Sequence, residues 1–264
     1  MTFADRLLAA LGPDVVTSGG SVPEAHRHDW SGLAPVEPLA LVRPRDTAGV
    51  ATAVRLCHAA GVGIVPQGGR SGLCGGAHPV AGAIALSLDR MNRVVEIDAQ
   101  GAVMVAEAGC VLQTAQAAAA EAGLMLAVDL GARGSCTIGG VISTNAGGNQ
   151  VIRYGMARDQ VLGLEAVLAD GTILPAMNRL LKNNAGPDLK QLFIGSEGTL
   201  GIVTRAVLRL QARPTGTATA FCGVPGTEAV LALLGRLRAG LGPMLTSFEV
   251  MWPGFYDRMR AGIG

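Results

Sequence analysis

The chain has 264 residues, 49% of them hydrophobic and 16% charged, which is enough apolar side chain for one large domain or two smaller ones and too much for a disordered chain. A formal net charge of +1 gives no electrostatic basis for holding nucleic acid or an anionic membrane, and an aromatic share of 3% gives no stacking platform for single strands. No apolar run reaches the ~18–20 residues that span a bilayer. Met1 to Pro13 lacks a basic region followed by an apolar block, so neither a transmembrane segment nor an export signal is expected, and the cytoplasm is the expected compartment.

Met1 to Pro13 reads as a short amphipathic helix. Pro35 to Pro44 holds three prolines and reads as a linker. Asp46-Thr47 is a helix start, Val50, Ala53, Val54 and Cys57 recur at helical spacing, and Gly61 ends the run. Strands are expected at Val62 to Val65 and Ala83 to Leu88, a hairpin at Arg93 to Ile97 and Val103 to Glu107, and a helix from Val111 to Ala122 closed by Gly123. Gly163 to Ala169 reads as a strand that turns at Asp170-Gly171 into a return strand from Thr172. Gly195 to Leu210 reads as a last glycine loop and strand. The composition shifts at Arg213-Pro214. Thr217 to Phe221 and Thr246 to Met251 read as strands around a helix at Glu228 to Arg238, a βαβ fragment after which the chain stops at Gly264.

Five cysteines, Cys57, Cys74, Cys110, Cys136 and Cys222, form no C-x-x-C pair and are odd in number, so neither a disulfide framework nor a zinc cage is expected. His26 and His28 read as an exposed loop pair rather than metal ligands.

Two glycine-rich loops dominate the pattern. The first is Pro66-Gln67-Gly68-Gly69-Arg70-Ser71-Gly72-Leu73-Cys74-Gly75-Gly76. The second runs from Asp129 through Gly131, Gly134, Ser135, Cys136, Thr137, Gly139 and Gly140 to Thr144, Asn145, Ala146 and Gly147. Glycine lets backbone N–H groups approach a ligand, and successive inward N–H groups form an anion site. Two such loops with hydroxyl residues between them suit a large phosphorylated cofactor gripped from two sides. No Asp or Glu occurs from Thr47 to Leu88 or from Leu130 to Arg158, as a pyrophosphate neighbourhood requires, although apolar strands and glycine turns carry few acids in any case. A Rossmann turn fits poorly, because the first loop runs through His78-Pro79 into another strand instead of opening a helix. Ser196 to Ile202 is a third glycine element, read alone as a tight turn before a strand.

In order and spacing these elements resemble the FAD-binding domain of the vanillyl-alcohol oxidase / p-cresol methylhydroxylase (PCMH) superfamily, nearest its D-2-hydroxy-acid dehydrogenase branch. The resemblance also rests on Arg153-Tyr154-Gly155, Gly163-Leu164-Glu165, Leu168 to Thr172, Lys182-Asn183-Asn184 and Asp188 to Ile202. It implies an α+β fold, with a two-subdomain PCMH-type domain over 38–213 following an N-terminal helix and linker over 1–37. The start of a ferredoxin-like α+β cap would occupy 214–264.

The resemblance also implies site roles. Pro66, Gln67, Gly68, Gly69, Arg70, Ser71, Gly72 and Leu73 would wrap the FAD pyrophosphate. Asp129, Leu130, Gly131, Gly134, Ser135, Cys136 and Thr137, with Gly139, Gly140, Thr144, Asn145, Ala146 and Gly147, would line the flavin and the diphosphate linker. Glu197, Gly198, Gly201 and Ile202 would pass beside the cofactor and bond to it through backbone atoms. Arg70 stands where some relatives carry a histidine bonded to the flavin, and an arginine cannot form that bond, so non-covalent FAD is expected. Cys74 and Cys136 read as small buried spacers, and Pro187 departs from the aromatic residue usual in this branch.

The implied chemistry is hydride transfer from C2 of a D-2-hydroxy acid to flavin N5, with electrons passing on to an acceptor protein or quinone. In that branch the substrate-binding arginine and the base and metal-binding histidines lie in the C-terminal half. No histidine follows His78 here, so no catalytic residue and no metal ligand is assigned. Three readings stay open: a catalytically incomplete flavoenzyme fragment, a flavin-binding subunit completed by a second chain or dimer, and a non-catalytic FAD-binding module. A nicotinamide-using reductase of the cell-wall enolpyruvyl type is a more distant alternative.

Overall fold

The computed structural model describes residues 1–262. The chain starts with α1 (Phe3–Leu11), where Thr2 and Asp5 form a reciprocal capping box and Phe3, Leu7 and Leu11 lie four residues apart on the inward face. Strand β1 (Val16–Ser18) follows and pairs antiparallel with β2 (Ala40–Val42), Ser18 opposite Ala40.

The linker expected over Pro35 to Pro44 is therefore only partly a linker. Ala40, Leu41 and Val42 are buried, and the prolines flank this strand without interrupting it, which leaves its amides free to pair. Helix α2 (Thr47–Ala60) is capped by the Asp46 carboxylate, which accepts from Gly49 N at 2.8 Å. It ends at Gly61 in the left-handed conformation, φ 65°. Strands β3 (Ile64–Gln67) and β4 (Ile84–Ser87) complete a small sheet in the order β1-β2-β4-β3, in which β2, β4 and β3 run parallel.

The second subdomain is an antiparallel sheet. Strands β5 (Val94–Asp98) and β6 (Val103–Glu107) form the expected hairpin, and α3 (Leu112–Glu121) and the short β7 (Leu124–Met125) follow. Short helices α4 (Ile138–Ser143), α5 (Val151–Tyr154) and α6 (Ala157–Gln160) lead into β8 (Val161–Val167), which turns into β9 (Ile173–Ala176). Helix α7 (Lys190–Phe193), β10 (Ile202–Arg209) and β11 (Gln211–Ala212) complete it, with sheet order β5-β6-β10-β8-β9. On one face of β6, β8 and β10, side chains such as Met104, Leu164 and Ala206 join a core shared with α1, α2, α3 and the small sheet. The opposite face carries a smaller cluster of Val103, Val105, Leu162 and Val207. The fold is α+β with two subdomains, as expected.

Helix α8 (Thr227–Leu241) matches the helix expected at Glu228 to Arg238, and a further helix, α9 (Pro253–Ala261), follows it. The strands expected at Thr217 to Phe221 and Thr246 to Met251 do not form. Strand propensity acts through pairing and packing, and this region presents neither, with Leu245 its one buried residue among those described. The last two residues of the unit expected over 214–264 lie outside the described residues. Among the described residues, no helix is long and apolar enough to cross a membrane.

Candidate cofactor site

Both glycine loops come from the ends of core elements. The first leaves the C-terminal end of β3, and the second leads into α4, which packs on β10 and β6. The two meet face to face. A Cβ on Gly68 would overlap the Thr137 hydroxyl, and one on Gly139 would overlap Ala108, so bare backbone is needed at both. Between them opens a cavity of about 460 Å³.

The loops differ in the state of their amides. Among the described residues, none of the nine amides from Gly68 to Gly76 donates to a protein acceptor. In the second loop most amides are already paired: Arg133 donates to Leu130 O and Cys136 to Ala132 O within the loop, while Ile138 to Cys110 O and Gly139 to Ala108 O tie it to the segment between β6 and α3. The first loop is thus an open cradle of donors, and the second is a braced wall. From that wall the Thr137 hydroxyl, buried and without a hydrogen-bond partner among the described residues, borders the cavity.

The third glycine element closes one side. Gly198 packs on Pro66, and Glu197 sits with its carboxylate beside Gly76. Glu197 N donates to Ser143 O at 2.8 Å, so this amide ties the third element to the second loop. Four non-glycine residues among those described have positive φ. Arg70 (53°) and Glu197 (54°) line the cavity, Asn145 (47°) lies just behind it, and only Ala102 is elsewhere. Such strain persists where surrounding structure enforces it, and it gathers at binding sites. Among the described residues, Arg70 and Glu197 are also the only charged side chains on the cavity wall.

The expected site residues divide into wall and support. Pro66 to Leu73 all border the cavity, as do Leu130, Cys136, Thr137, Gly139, Gly140, Thr144 and Ala146, and on the third side Glu197, Gly198 and Ile202. The others stand behind it. Asp129 pairs with Arg133 at 2.9 Å, and its backbone abuts Gly148. Gly131 and Gly134 lie in the turn, and Ser135 backs onto Gly69. Asn145 Oδ1 accepts from Arg158 N at 3.0 Å, Gly147 packs on Val151, and Gly201 is pressed between Phe193 and Val167 O. Gly201 instead lines an adjoining cavity of about 430 Å³ that includes His58 and shares Pro66, Gly198 and Ile202 with the first.

Cys74, Gly76, Ala77, Leu88, Ala132, Val141, Ser143 and Val203 also border the main cavity, beyond the residues expected there. Gly76 and Ser143 sit inside the recognised motifs, whereas Leu88 and Val203 read only as core strand. Cys74 is exposed, against the buried spacer expected, because its loop opens outward. Cys136 is buried, and burial pushes its thiol up to about 11.

The expected histidine pair divides as well. His28 is half-buried, but His26 is buried at 5% exposure. Its Nδ1 lies 2.8 Å from Gln67 Oε1, a contact across 41 positions of chain that no local pattern could announce. Among the described residues, no group of three or more His, Cys, Asp or Glu side chains is placed to hold a metal ion.

Glycine loops from the two subdomains, facing each other across a cavity edged by unpaired amides, form a site of the kind that holds a phosphorylated cofactor. A family model described as FAD binding domain matches residues 38–176, more than half of the chain, which therefore belongs to that family. The chain is 46% identical over 223 residues to D-2-hydroxyglutarate dehydrogenase, mitochondrial, of Bos taurus, a match covering 84% of this chain and 41% of that protein. It is 42% identical over 226 residues to D-2-hydroxyglutarate dehydrogenase of Xanthomonas citri pv. viticola, covering 86% and 48% respectively. A solved structure of alkyldihydroxyacetonephosphate synthase superposes with a TM-score of 0.71 at 27% identity, covering 81% of this chain and 41% of that one. The chain thus spans less than half the length of these relatives.

The residues present fit FAD. Open amides and the orphaned Thr137 hydroxyl suit phosphate oxygens, Arg70 supplies a cation, and bare glycine backbone leaves room for close approach.

Proposed function

We propose that this chain is the flavin-binding part of a dehydrogenase acting on a small D-2-hydroxy acid, with an acceptor protein or quinone as the electron outlet. The observation that carries the reading is the cradle of nine unpaired amides in a chain 46% identical to a D-2-hydroxyglutarate dehydrogenase. Bound FAD would supply the acceptor for the hydride at substrate C2, and the hydroxyl proton would go to a base that is not assigned to this chain. Amides of the Gly68 to Gly76 loop would hold the diphosphate with the Thr137 hydroxyl beside them, and the wall from Leu130 to Ala146 would exclude water from one side. Arg70 stands where some relatives carry a flavin-linked histidine and cannot form that link, so the cofactor would be non-covalent.

A second reading, a flavin subunit or non-catalytic module that needs another polypeptide to act, is favoured by the exposed apolar side chains of the 214–262 region, Phe221 at 76% and Leu231 at 63% among them. The test is reconstitution with FAD followed by anaerobic mixing with D-2-hydroxyglutarate or D-lactate. The chain is expected to bind FAD, to release it on acid precipitation, and to leave it oxidised unless a second polypeptide is added. Reduction by the chain alone overturns the incompleteness. Failure of the folded chain to bind FAD overturns the whole reading.

A further inference from the structure

Among the described residues, the loop that offers the open amides has one internal backbone–backbone hydrogen bond, His78 N to Gly75 O at 3.1 Å near its far end, and one from a side chain, Arg70 to Gly68 O at 3.3 Å, so it does little to hold its own shape. The near end is held by β3, where Gln67 O accepts from Leu88 N at 3.0 Å, and side-chain bonds from residues 26–31, a segment N-terminal to the matched family region, reach both ends. At the near end the Gln67 side chain, 0% exposed, makes three contacts. Its Nε2 donates to His26 O at 3.1 Å and to Ala77 O at 3.0 Å, and its Oε1 lies 2.8 Å from His26 Nδ1. At the far end Asp29, 4% exposed, accepts from Ala77 N at 3.3 Å and from Ser31 N at 3.0 Å, with His78 Nδ1 3.9 Å away. Gln67 and Ala77 bracket the nine open amides, so the one short segment grips both rims of the cradle.

The bonding pattern assigns the His26 tautomer. Two carbonyl acceptors fix the Gln67 amide with its nitrogen toward them, which leaves Oε1 facing the ring. His26 Nδ1 therefore carries a hydrogen and donates to Gln67. Arg70 lies 3.3 Å from the same Nδ1, and two donors cannot bond, so its guanidinium keeps only Gly68 O, also at 3.3 Å, and stays available to the cavity. Nε2 faces Asp89 at 3.8 Å, a carboxylate already taken by Arg43 through Nε at 3.0 and 3.1 Å. Burial, aided by the charges of Arg70 and Arg43 against Gln67 and Asp89, holds the His26 imidazole below its usual pKa, which agrees with a neutral ring.

We propose that His26 and Asp29 are positioning residues for FAD: they clamp the two ends of the Gly68–Gly76 loop so that its amides are held ready before the cofactor arrives. The inference rests on the FAD-binding reading. Preorganised donors bind more tightly than donors that must be ordered on contact, so loosening the clamp lowers affinity without removing any group that touches the cofactor.

The experiment compares His26→Phe, His26→Asn and Asp29→Asn with the unmodified chain. Readouts are FAD affinity by flavin fluorescence, apo-protein melting, and hydrogen exchange of the 67–78 region without FAD. His26→Phe leaves the buried Gln67 oxygen unpaired and is expected to weaken FAD about 10-fold and to speed exchange at Ala77 and His78, two paired amides of the region. An Asn side chain can donate from Nδ2 as the ring does, so His26→Asn is expected to stay within about threefold of the unmodified chain. Asp29→Asn is expected to speed exchange at Ala77 whether or not FAD binds. Unchanged exchange in His26→Phe and Asp29→Asn overturns the proposal, as does equal loss of affinity in His26→Phe and His26→Asn. If His26→Phe does not fold, the exchange of Asp29→Asn decides. If the unmodified chain binds no FAD, the cofactor reading falls, and apo exchange still decides the clamp.

Discussion

Gly69 lies against the Ser135 carbonyl so closely that a Cβ on Gly69 would overlap that oxygen and the Cys136 Cα behind it. The two cofactor loops are thus in backbone contact, and their separation is set by the absence of a side chain. Gly69→Ala forces the loops apart or bends the cradle. It is expected to lower stability by roughly 2 kcal/mol, as overpacking of a tight interior does, and to weaken FAD by at least about 10-fold. Thermal melting and a cofactor titration check both. Gly72→Ala, whose added Cβ would meet no atom within 4 Å, is the control and is expected to melt as the unmodified chain does.

The two subdomains are joined by a buried carboxylate. Glu165 on β8 accepts from Thr47 Oγ1 on α2 at 2.6 Å, from Thr204 Oγ1 at 2.8 Å, and from Arg205 Nε and a terminal nitrogen at 2.9 and 2.7 Å. Burial raises its pKa, but these hydrogen bonds and the Arg205 charge outweigh burial and hold it below the usual 4.5. A carboxylate whose folded pKa is depressed adds stability above its unfolded pKa and loses it as pH falls through the folded value. The stability of the unmodified chain is therefore expected to decline below about pH 4.5. Glu165→Gln is expected to be less stable by about 2 kcal/mol at neutral pH and to flatten that decline. Denaturant unfolding across pH measures both.

Thiol chemistry reads the cavity directly. Cys74 and Cys222 are exposed, while Cys57, Cys110 and Cys136 are buried, with each of the three thiols pushed up to about 11 by burial. An aromatic disulfide reagent at mildly alkaline pH is expected to label Cys74 and Cys222 quickly and the others only on unfolding. Cys74 lines the cavity and Cys222 does not, so FAD is expected to slow labelling of Cys74 alone. Mass spectrometry of the labelled peptides decides.

The 214–262 region exposes Phe221, Trp252 and Phe255 to 76%, 53% and 54%. Exposed apolar surface of this kind drives association. The isolated chain is expected to self-associate in light scattering, and Phe221→Ser with Leu231→Glu is expected to reduce it. Clean monomeric behaviour of the unmodified chain would sink this expectation.

The local elements were legible because their signals are local. Asp46 before Thr47 and Gly61 after Ala60 state the bounds of α2, and the glycine loops announce themselves by composition. The walls of the cavity followed from those loops and from the resemblance they carry. Where the sequence misled, the deciding partner was distant or missing. Ala40 to Val42 is a strand because β1 and β4 flank it, and Thr217 to Phe221 is not one because nothing pairs with it.

By itself, then, the sequence determined the helix caps and the glycine-rich composition of the loops, since each depends on neighbours a few positions away, and the resemblance those loops carry supplied the kind of ligand. Tertiary structure alone decided which amides stay unpaired, that His26 is buried against Gln67, and that Asp29 reaches Ala77. Those outcomes depend on groups brought together from more than 40 positions apart, and hydrogen-bond satisfaction is settled only when every buried donor and acceptor has been placed.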